Sequence, residues 1–192
     1  MIRSILICYL LNFATFSFSK GIDTIPHFSH NTSIGYVYND FMGDNIYNKY
    51  HTRFEGFYIT TGILIFKHLS LDVSASKYSG RVTNTSFINE YQTTIKNSCI
   101  SGSYVYYPNE KLALSTSLIY RSVIGKNQGK FYGSGFGAGI SLKYHIFKYL
   151  YLEFGTETGI MNFNIKTPPD LQDQFSKTSF ILMKAGMGLR LF

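Results

Sequence analysis

The sequence predicts an all-β protein, an eight-stranded antiparallel up-and-down transmembrane β-barrel. Apolar residues alternate with small or polar residues in segment after segment, which is the period of a strand with two different faces. Charged residues make up only 15% of the 192 residues, aromatic residues make up 17%, and there are 17 glycines. This composition is typical of β-structure, and no segment shows a convincing helical period.

The first residues have the layout of a secretory signal peptide. Arg3 gives a positive start, Ile5 to Phe16 are mostly apolar, and Ser17 and Ser19 are small residues near a cleavage point. We therefore predict three segments: a signal peptide at 1–19, an N-terminal segment at 20–31 and the barrel domain at 32–192. Cleavage after Ser19 leaves Cys99 as the single cysteine, so no intrachain disulfide is expected.

The first four strands follow in chain order. The first is predicted at Thr32–Phe41. The second is predicted at Arg53–Phe66, and one of its faces carries Phe57, Ile59, Ile63 and Ile65. The third begins near Leu69, and it opposes Leu71, Val73 and Ala75 to Asp72, Ser74 and Ser76. The fourth is placed at about Tyr91–Tyr107, and its sequence does not fix which face is which.

The last four strands alternate more clearly. The fifth sets Leu112, Leu114, Leu118 and Tyr120 against Ala113, Ser115, Ser117 and Arg121. The sixth sets Phe136, Ala138, Ile140, Leu142 and Tyr144 against Gly137, Gly139, Ser141 and Lys143. The seventh sets Leu150, Leu152, Phe154 and Ile160 against Tyr151, Glu153, Gly155, Glu157 and Gly159. The eighth sets Ile181, Met183, Ala185, Met187, Leu189 and Leu191 against Leu182, Lys184, Gly186, Gly188 and Arg190.

The connections between strands alternate in length. Three are tight, at Lys67-His68, at Pro108-Asn109-Glu110 and at Lys148-Tyr149. Four are longer and polar, at about 42–52, 77–90, 125–132 and 164–176. Ile65 to Leu71 also resembles Ile146 to Leu152, and each copy holds an aromatic residue and a lysine at its turn. Those two residue types suit a boundary between membrane and water, so this end of the barrel is expected at such a boundary.

The apolar face is predicted to point outward, toward lipid. The opposite face carries many glycines, which weaken a soluble outer surface but make room inside a narrow barrel. It also carries charges of both signs near strand centres, whereas the apolar face is free of charge over about five alternate residues. Five of these charged residues are predicted to form a structural charge network in the lumen: Lys143, Glu153, Glu157, Lys184 and Arg190. Arg121 and Asp72 are further candidates, and buried charges must be paired.

The chain resembles the small eight-stranded outer-membrane barrels of Gram-negative bacteria, of the OmpA-transmembrane, OmpX and opacity-protein type. The resemblance rests on the signal segment, the hairpin layout and a final strand, Phe180 to Phe192, that ends in an aromatic residue. It implies that Phe192 is the signal presented to the barrel-assembly machinery. Counted back from Phe192, however, alternate positions hold Arg190, Gly188 and Gly186, where the family pattern has apolar residues.

The function predicted from these features is non-enzymatic. We expect a bacterial outer-membrane protein that displays surface loops for envelope integrity, adhesion or recognition, in contact with outer-membrane lipid and lipopolysaccharide, with a host or surface ligand as a further partner. An outer-leaflet lipid-modifying enzyme of the lipid A deacylase kind is one alternative, suggested by His27, Ser29 and His30, and a narrow pore is another. No nucleic-acid partner is expected, since the 18 basic residues are scattered singly. No metal or other cofactor is expected either, because His27 and His30 lack further ligands at a fixed spacing.

Overall fold

The computed structural model describes residues 28–43, 53–82, 91–126, 130–163 and 178–191. They form eight antiparallel strands that close into one barrel in sequence order, which confirms the predicted fold class. The strands are β1 (Phe28–Met42), β2 (Arg53–Ile65), β3 (Leu69–Val82), β4 (Tyr91–Asn109), β5 (Leu112–Lys126), β6 (Lys130–His145), β7 (Leu150–Phe163) and β8 (Thr178–Leu191). Within these residues no helix is long and apolar enough to cross a membrane.

The strand register fixes the width of the barrel. Thr32 of β1 pairs with β2, and the partners continue strand by strand around the barrel until β8 pairs with Met42 of β1. The register therefore shifts by 42 − 32 = 10 residues along β1 in one circuit of the barrel. With strands about 4.8 Å apart and a rise of about 3.3 Å per residue, this displacement tilts the strands by about 40° and gives a backbone radius of about 8 Å. Such a barrel is filled by side chains.

The two faces of the strands point as the alternation predicts. Phe136 and Ile140 of β6 are exposed on the outer wall, whereas Gly139 between them is buried. The same holds along β2, β3, β5, β7 and β8. The structure also establishes the facing of β4, in which the odd-numbered residues from Thr93 to Tyr107 point inward.

The connections divide the barrel into two ends. Short turns join β2 to β3, β4 to β5 and β6 to β7 at one end, which we call the turn end. The other four connections lie at the opposite end, the loop end. At the turn end Phe66 and Lys67 adopt positive φ angles of 53° and 68°. Phe66 and Phe147, which are equivalent in the internal repeat, are both well exposed there.

Several predicted boundaries are wrong because the strands run past the alternating segments. β1 begins at Phe28 instead of Thr32, so part of the segment predicted at 20–31 is strand. β3 continues to Val82, so it includes the start of the loop predicted at 77–90. β5 ends at Lys126 and β6 begins at Lys130, so five of the eight residues of the loop predicted at 125–132 are strand. β4 includes Pro108, with a shift of register between Tyr106 and Asn109. In β1, β3, β5 and β6, backbone pairing continues at these positions although the side chains no longer alternate in hydropathy. In β4, no residue between Tyr106 and Asn109 is paired with β5.

The outer wall carries an apolar band that ends sharply toward the loop end. In β2 the outward residues Ile65, Ile63, Thr61, Ile59 and Phe57 are followed by Glu55 and Arg53. In β3 the outward residues Leu69, Leu71, Val73 and Ala75 are followed by Lys77. Aromatic residues lie at both borders, with Tyr36 and Phe57 in edge contact at the loop-end border and Tyr104 and Tyr144 exposed at the turn-end border. A lipid-facing barrel has this arrangement.

Candidate functional site: the charged lumen

The centre of the lumen holds four charged side chains that contact each other. We call Arg121, Glu153, Glu157 and Lys184 the central ion cluster. The Nζ atom of Lys184 lies 3.1 Å from Oε1 of Glu157 and 3.4 Å from Oε1 of Glu153. The guanidinium of Arg121 pairs with the other carboxylate oxygen of Glu157. Two cations and two carboxylates balance, which is the condition under which buried charges are tolerated.

Strand alternation places these four residues inside. Glu153 and Glu157 are four residues apart on β7, so both point to the same face, and they are only 3% and 7% exposed. Lys184 lies on β8 opposite Gly155, which separates the two acids on the inner face. Arg121 reaches across from β5, and its guanidinium carbon lies 4.1 Å from the centre of the Phe180 ring.

Lys143 and Arg190, the other two residues of the predicted network, lie nearer the turn end. Lys143 is opposite Glu153 in the register of β6 and β7, and its Nζ atom lies 5.2 Å from the centre of the Tyr151 ring. Arg190 donates to Oδ1 of Asn31 at 3.3 Å and to the Tyr107 hydroxyl at 3.5 Å. Among the described residues neither cation forms an ion pair with a carboxylate. Of the five residues predicted to form the network, the structure therefore joins Glu153, Glu157 and Lys184 by ion pairs. Arg121, a further candidate from the sequence, belongs to the same cluster.

Asp72, the other candidate, faces a cavity between the ion cluster and the turn end. Its Oδ2 accepts a hydrogen bond from the Ser70 hydroxyl at 2.7 Å. The cavity measures about 40 Å³, and its wall includes seven serines: Ser70, Ser74, Ser101, Ser103, Ser115, Ser117 and Ser141. A polar space of this size holds a few water molecules. The middle of the lumen is therefore polar, with room for a few water molecules but not for a wide channel.

The lumen is closed at the loop end by apolar side chains. The buried cluster there consists of Val37, Phe41, Phe54, Tyr58, Tyr78, Ile95, Val123, Phe131, Met161, Phe180 and Leu182. The sequence contains one signal for this cluster, because apolar residues such as Phe54 and Ile95 stand between polar neighbours near strand ends. A smaller cluster of Leu64, Val105 and Ala113 lies at the turn end, with Tyr107 packed against it.

Inward glycines make the space that these large side chains occupy. A Cβ atom added to Gly188 would lie 2.3 Å from Cζ of Tyr151, the residue opposite it in β7. One added to Gly159 would lie 2.3 Å from the carbonyl oxygen of Phe136 and 2.9 Å from the Phe180 ring. The glycines of the inner face thus accommodate long neighbours, which is the role that the sequence predicts for them.

The histidine and serine residues do not assemble a catalytic set within the described residues. Ser29 is buried on the inner face, whereas His30 points outward and contacts the Thr61 hydroxyl at 2.9 Å. His145 lies on the inner face, and Nδ1 of His68 is 2.9 Å from the carbonyl oxygen of Val105 at the turn end. No group of three metal-ligating side chains occurs in this part of the chain.

Some predicted features fall outside the described residues: the signal peptide at 1–19, His27, Phe192 and most of the long loops. The last described residue is Leu191, which ends β8 on the outer face.

No family model and no curated protein sequence matches this chain, but solved structures do. Ail, the attachment invasion locus protein of Yersinia pestis, matches 84% of this chain and 97% of its own, with 13% identity and a TM-score of 0.55. A further structure of Ail contains the heparin analogue sucrose octasulfate, and it matches 86% of this chain and 99% of its own, with 13% identity and a TM-score of 0.57.

Two other outer-membrane barrels give similar values. The outer membrane protein OprG from Pseudomonas aeruginosa matches 88% of this chain and 99% of its own, with 8% identity and a TM-score of 0.57. Neisserial surface protein A matches 86% of this chain and 97% of its own, with 11% identity and a TM-score of 0.55. At these identities the likeness is one of fold. The chain therefore has the fold of the small eight-stranded outer-membrane barrels.

Proposed function

We propose that this chain is a non-enzymatic integral protein of a bacterial outer membrane, which carries surface loops at the loop end of the barrel. One observation carries the proposal: the outer wall has a band without charge, while the lumen holds the central ion cluster. A soluble barrel has the opposite arrangement, with an apolar interior. In lipid, every backbone amide needs a partner, and closure of β1 against β8 supplies those partners.

The role of the loops is adhesion or surface recognition. The loop sequence from Asp44 to Tyr50 contains tyrosine, asparagine and lysine, residue types that suit adaptable polar contacts. Ail, which shares the fold, is named for attachment and invasion, and one of its structures contains a heparin analogue. These facts support a binding role without fixing the ligand.

Two alternatives receive less support. A deacylase-like enzyme needs a serine activated by a histidine, and Ser29 and His30 lie on opposite faces of β1. A pore needs a continuous aqueous path, and the apolar cluster around Phe54 and Phe180 closes the loop end of the lumen. Conductance well above background in planar bilayers, or loss of acyl chains from lipid A in the presence of the protein, would favour one of these alternatives.

Protease treatment of intact cells tests the proposal. We expect cleavage only in the four loops, and recovery of the protein with the outer membrane. A Glu110→Cys variant serves as the control, because Glu110 is exposed in the turn between β4 and β5. Its thiol should react with a membrane-impermeant maleimide only after the cells are opened. Cleavage throughout the barrel, or recovery of the protein in the soluble periplasm, would contradict the proposal.

A further inference from the structure

Two exposed lysines face each other on the outer wall, directly above the apolar band. Lys77 of β3 and Lys96 of β4 are opposite each other in the register. Side chains in such a pair start only about 5 Å apart, and like charges at this position are destabilising. Within the described residues neither lysine has an ion-pair or hydrogen-bond partner. An anion that binds both ammonium groups would remove this repulsion.

A second pair of facing lysines lies farther toward the loop end. Lys126 of β5 is opposite Lys130 of β6, and both are exposed. We call Lys77, Lys96, Lys126 and Lys130 the lysine rim. The four strands β3 to β6 contain one acidic residue, Asp72, and its side chain points into the lumen. The acids that do point outward near the loop end, Asp40 and Glu55, lie on β1 and β2. The rim is therefore a one-sided positive surface.

An apolar groove lies on the same side of the outer wall, between the lysine rim and the turn end. The groove measures about 780 Å³, and its lining includes Leu69, Gly102, Tyr104, Leu118, Ala138 and Ile140. Gly102 leaves this part of the wall unfilled, because a Cβ atom at this position would meet nothing within 4 Å. Lys96 and Gly102 are six positions apart along β4, which corresponds to roughly 20 Å of strand.

We propose that the lysine rim and this groove together bind an outer-leaflet lipid with a phosphorylated headgroup. The Lys77 and Lys96 ammonium groups hold a phosphate, and an acyl chain lies in the groove beside Gly102. This inference rests on the proposed function, because it requires the apolar band to lie in a bilayer. Phosphate oxygens accept strong charge-assisted hydrogen bonds from lysine.

The position of the lysines favours a lipid over a soluble polyanion. Lys77 follows Ala75 and lies opposite Phe57, an exposed aromatic residue at the border of the apolar band. Its ammonium is therefore placed at headgroup depth, where a lysine can reach water while its stem lies against apolar surface. A glycan polyanion has no acyl chain to occupy the groove.

The test uses the refolded barrel in detergent micelles, titrated with diphosphoryl lipid A, with native mass spectrometry to count bound lipid. Far-UV circular dichroism checks that each variant is folded. We expect the double variant Lys77→Gln/Lys96→Gln to bind this lipid roughly ten- to thirtyfold more weakly than the unaltered barrel. Lys77→Arg/Lys96→Arg should retain binding. The matched control Lys67→Gln/Lys148→Gln removes two lysines from the turn end and should leave binding unchanged.

Three further measurements separate the possible occupants. Dephosphorylated lipid A should bind the unaltered barrel about as weakly as diphosphoryl lipid A binds the Lys77→Gln/Lys96→Gln variant. Gly102→Leu should fill the groove and weaken binding of both lipids. Lys126→Gln/Lys130→Gln should weaken binding of the phosphorylated lipid only. This double variant therefore repeats the test at the second pair of lysines.

The inference would be overturned if the unaltered barrel bound phosphorylated and dephosphorylated lipid A equally well. It would also be overturned if Lys77→Gln/Lys96→Gln and Lys67→Gln/Lys148→Gln lost the same amount of affinity for diphosphoryl lipid A. So would sucrose octasulfate binding that depends on the rim while lipid A binding does not, since the rim would then serve a glycan polyanion. A protein that fails to insert into phosphatidylcholine vesicles would instead contradict the proposed function. A barrel that inserts into vesicles but binds phosphorylated and dephosphorylated lipid A with the same affinity would contradict only the proposed lipid site.

Discussion

The side-chain ammonium of Lys184 lies 3.1 Å from Oε1 of Glu157, which also pairs with Arg121. Glu157 therefore neutralises two buried cations, whereas Glu153 forms an ion pair only with Lys184 among the described residues. We expect Glu157→Gln to lower the free energy of unfolding by about 3 to 5 kcal/mol, because breaking a buried pair leaves uncompensated charge. Urea titration of the barrel in lipid vesicles measures this change.

Glu153→Ala should cost less than Glu157→Gln, because Lys184 keeps its contact with Glu157. Glu110→Gln is the control, since Glu110 is exposed at the turn end and its loss should change the unfolding free energy by less than about 0.5 kcal/mol. Unchanged thermal melting of Glu153→Ala in detergent would speak against a structural role for the charged lumen.

Gly159 on the inner face and Gly102 on the outer wall form a matched pair for testing how tightly the inner face is packed. Gly159→Ala should destabilise the barrel by about 1 to 3 kcal/mol, because its Cβ atom would lie 2.3 Å from a carbonyl oxygen of the neighbouring strand. Gly102→Ala adds the same methyl group to open space and should be neutral or stabilise by up to about 1 kcal/mol. Equal unfolding free energies for the two variants would contradict this account.

The outer apolar band can be tested with one substitution at two depths. Ile140→Arg places a charge in the middle of the band and should cost about 2 to 4 kcal/mol in a bilayer. Ile124 is also exposed, but it lies beyond Tyr120 toward the loop end, and Ile124→Arg should cost about 0 to 1 kcal/mol. The measurement is again urea unfolding in vesicles. A larger cost at Ile124 would show that the band has been placed at the wrong depth.

Cys99 reports on access to the lumen. It is a free thiol, 7% exposed, in the wall of the serine-lined cavity. In a chain that starts at residue 20, we expect a polymer-linked maleimide to label Cys99 only after denaturation. Glu110→Cys in a Cys99→Ser background should label in the folded state. Comparable labelling rates for the two thiols in the folded barrel would mean that its lumen opens widely.

The sequence predicted the architecture because the apolar band imposes a strict rule on alternate residues. In β8, for example, Met183, Ala185 and Met187 meet the outside while Lys184 and Gly186 fill the lumen. The rule fails for β4, where both faces carry serine and tyrosine, as Ser98 and Tyr104 outside and Ser101 and Tyr107 inside illustrate.

The loop end could not be predicted in the same way, because the rule reverses there. Ile95 and Val123 point inward, and their neighbours Lys96 and Ser122 point outward to the solvent side. Beyond the band the wall follows the pattern of a soluble protein, with an apolar interior. Arg121 was also difficult to assign, since its partner Glu157 lies on β7, which is not paired with β5.

The closure of the barrel after ten residues limits how the chain can change in length. An inner face must meet an inner face where β8 joins β1, so the total offset has to be an even number. A single residue gained or lost within a strand would turn lipid-facing methyl groups and buried charges inside out from that point onward. Odd changes can therefore be absorbed only where pairing is interrupted, as it is between Tyr106 and Asn109. Evolutionary variation in this wall is expected in steps of two, with single-residue insertions and deletions confined to the hairpin ends.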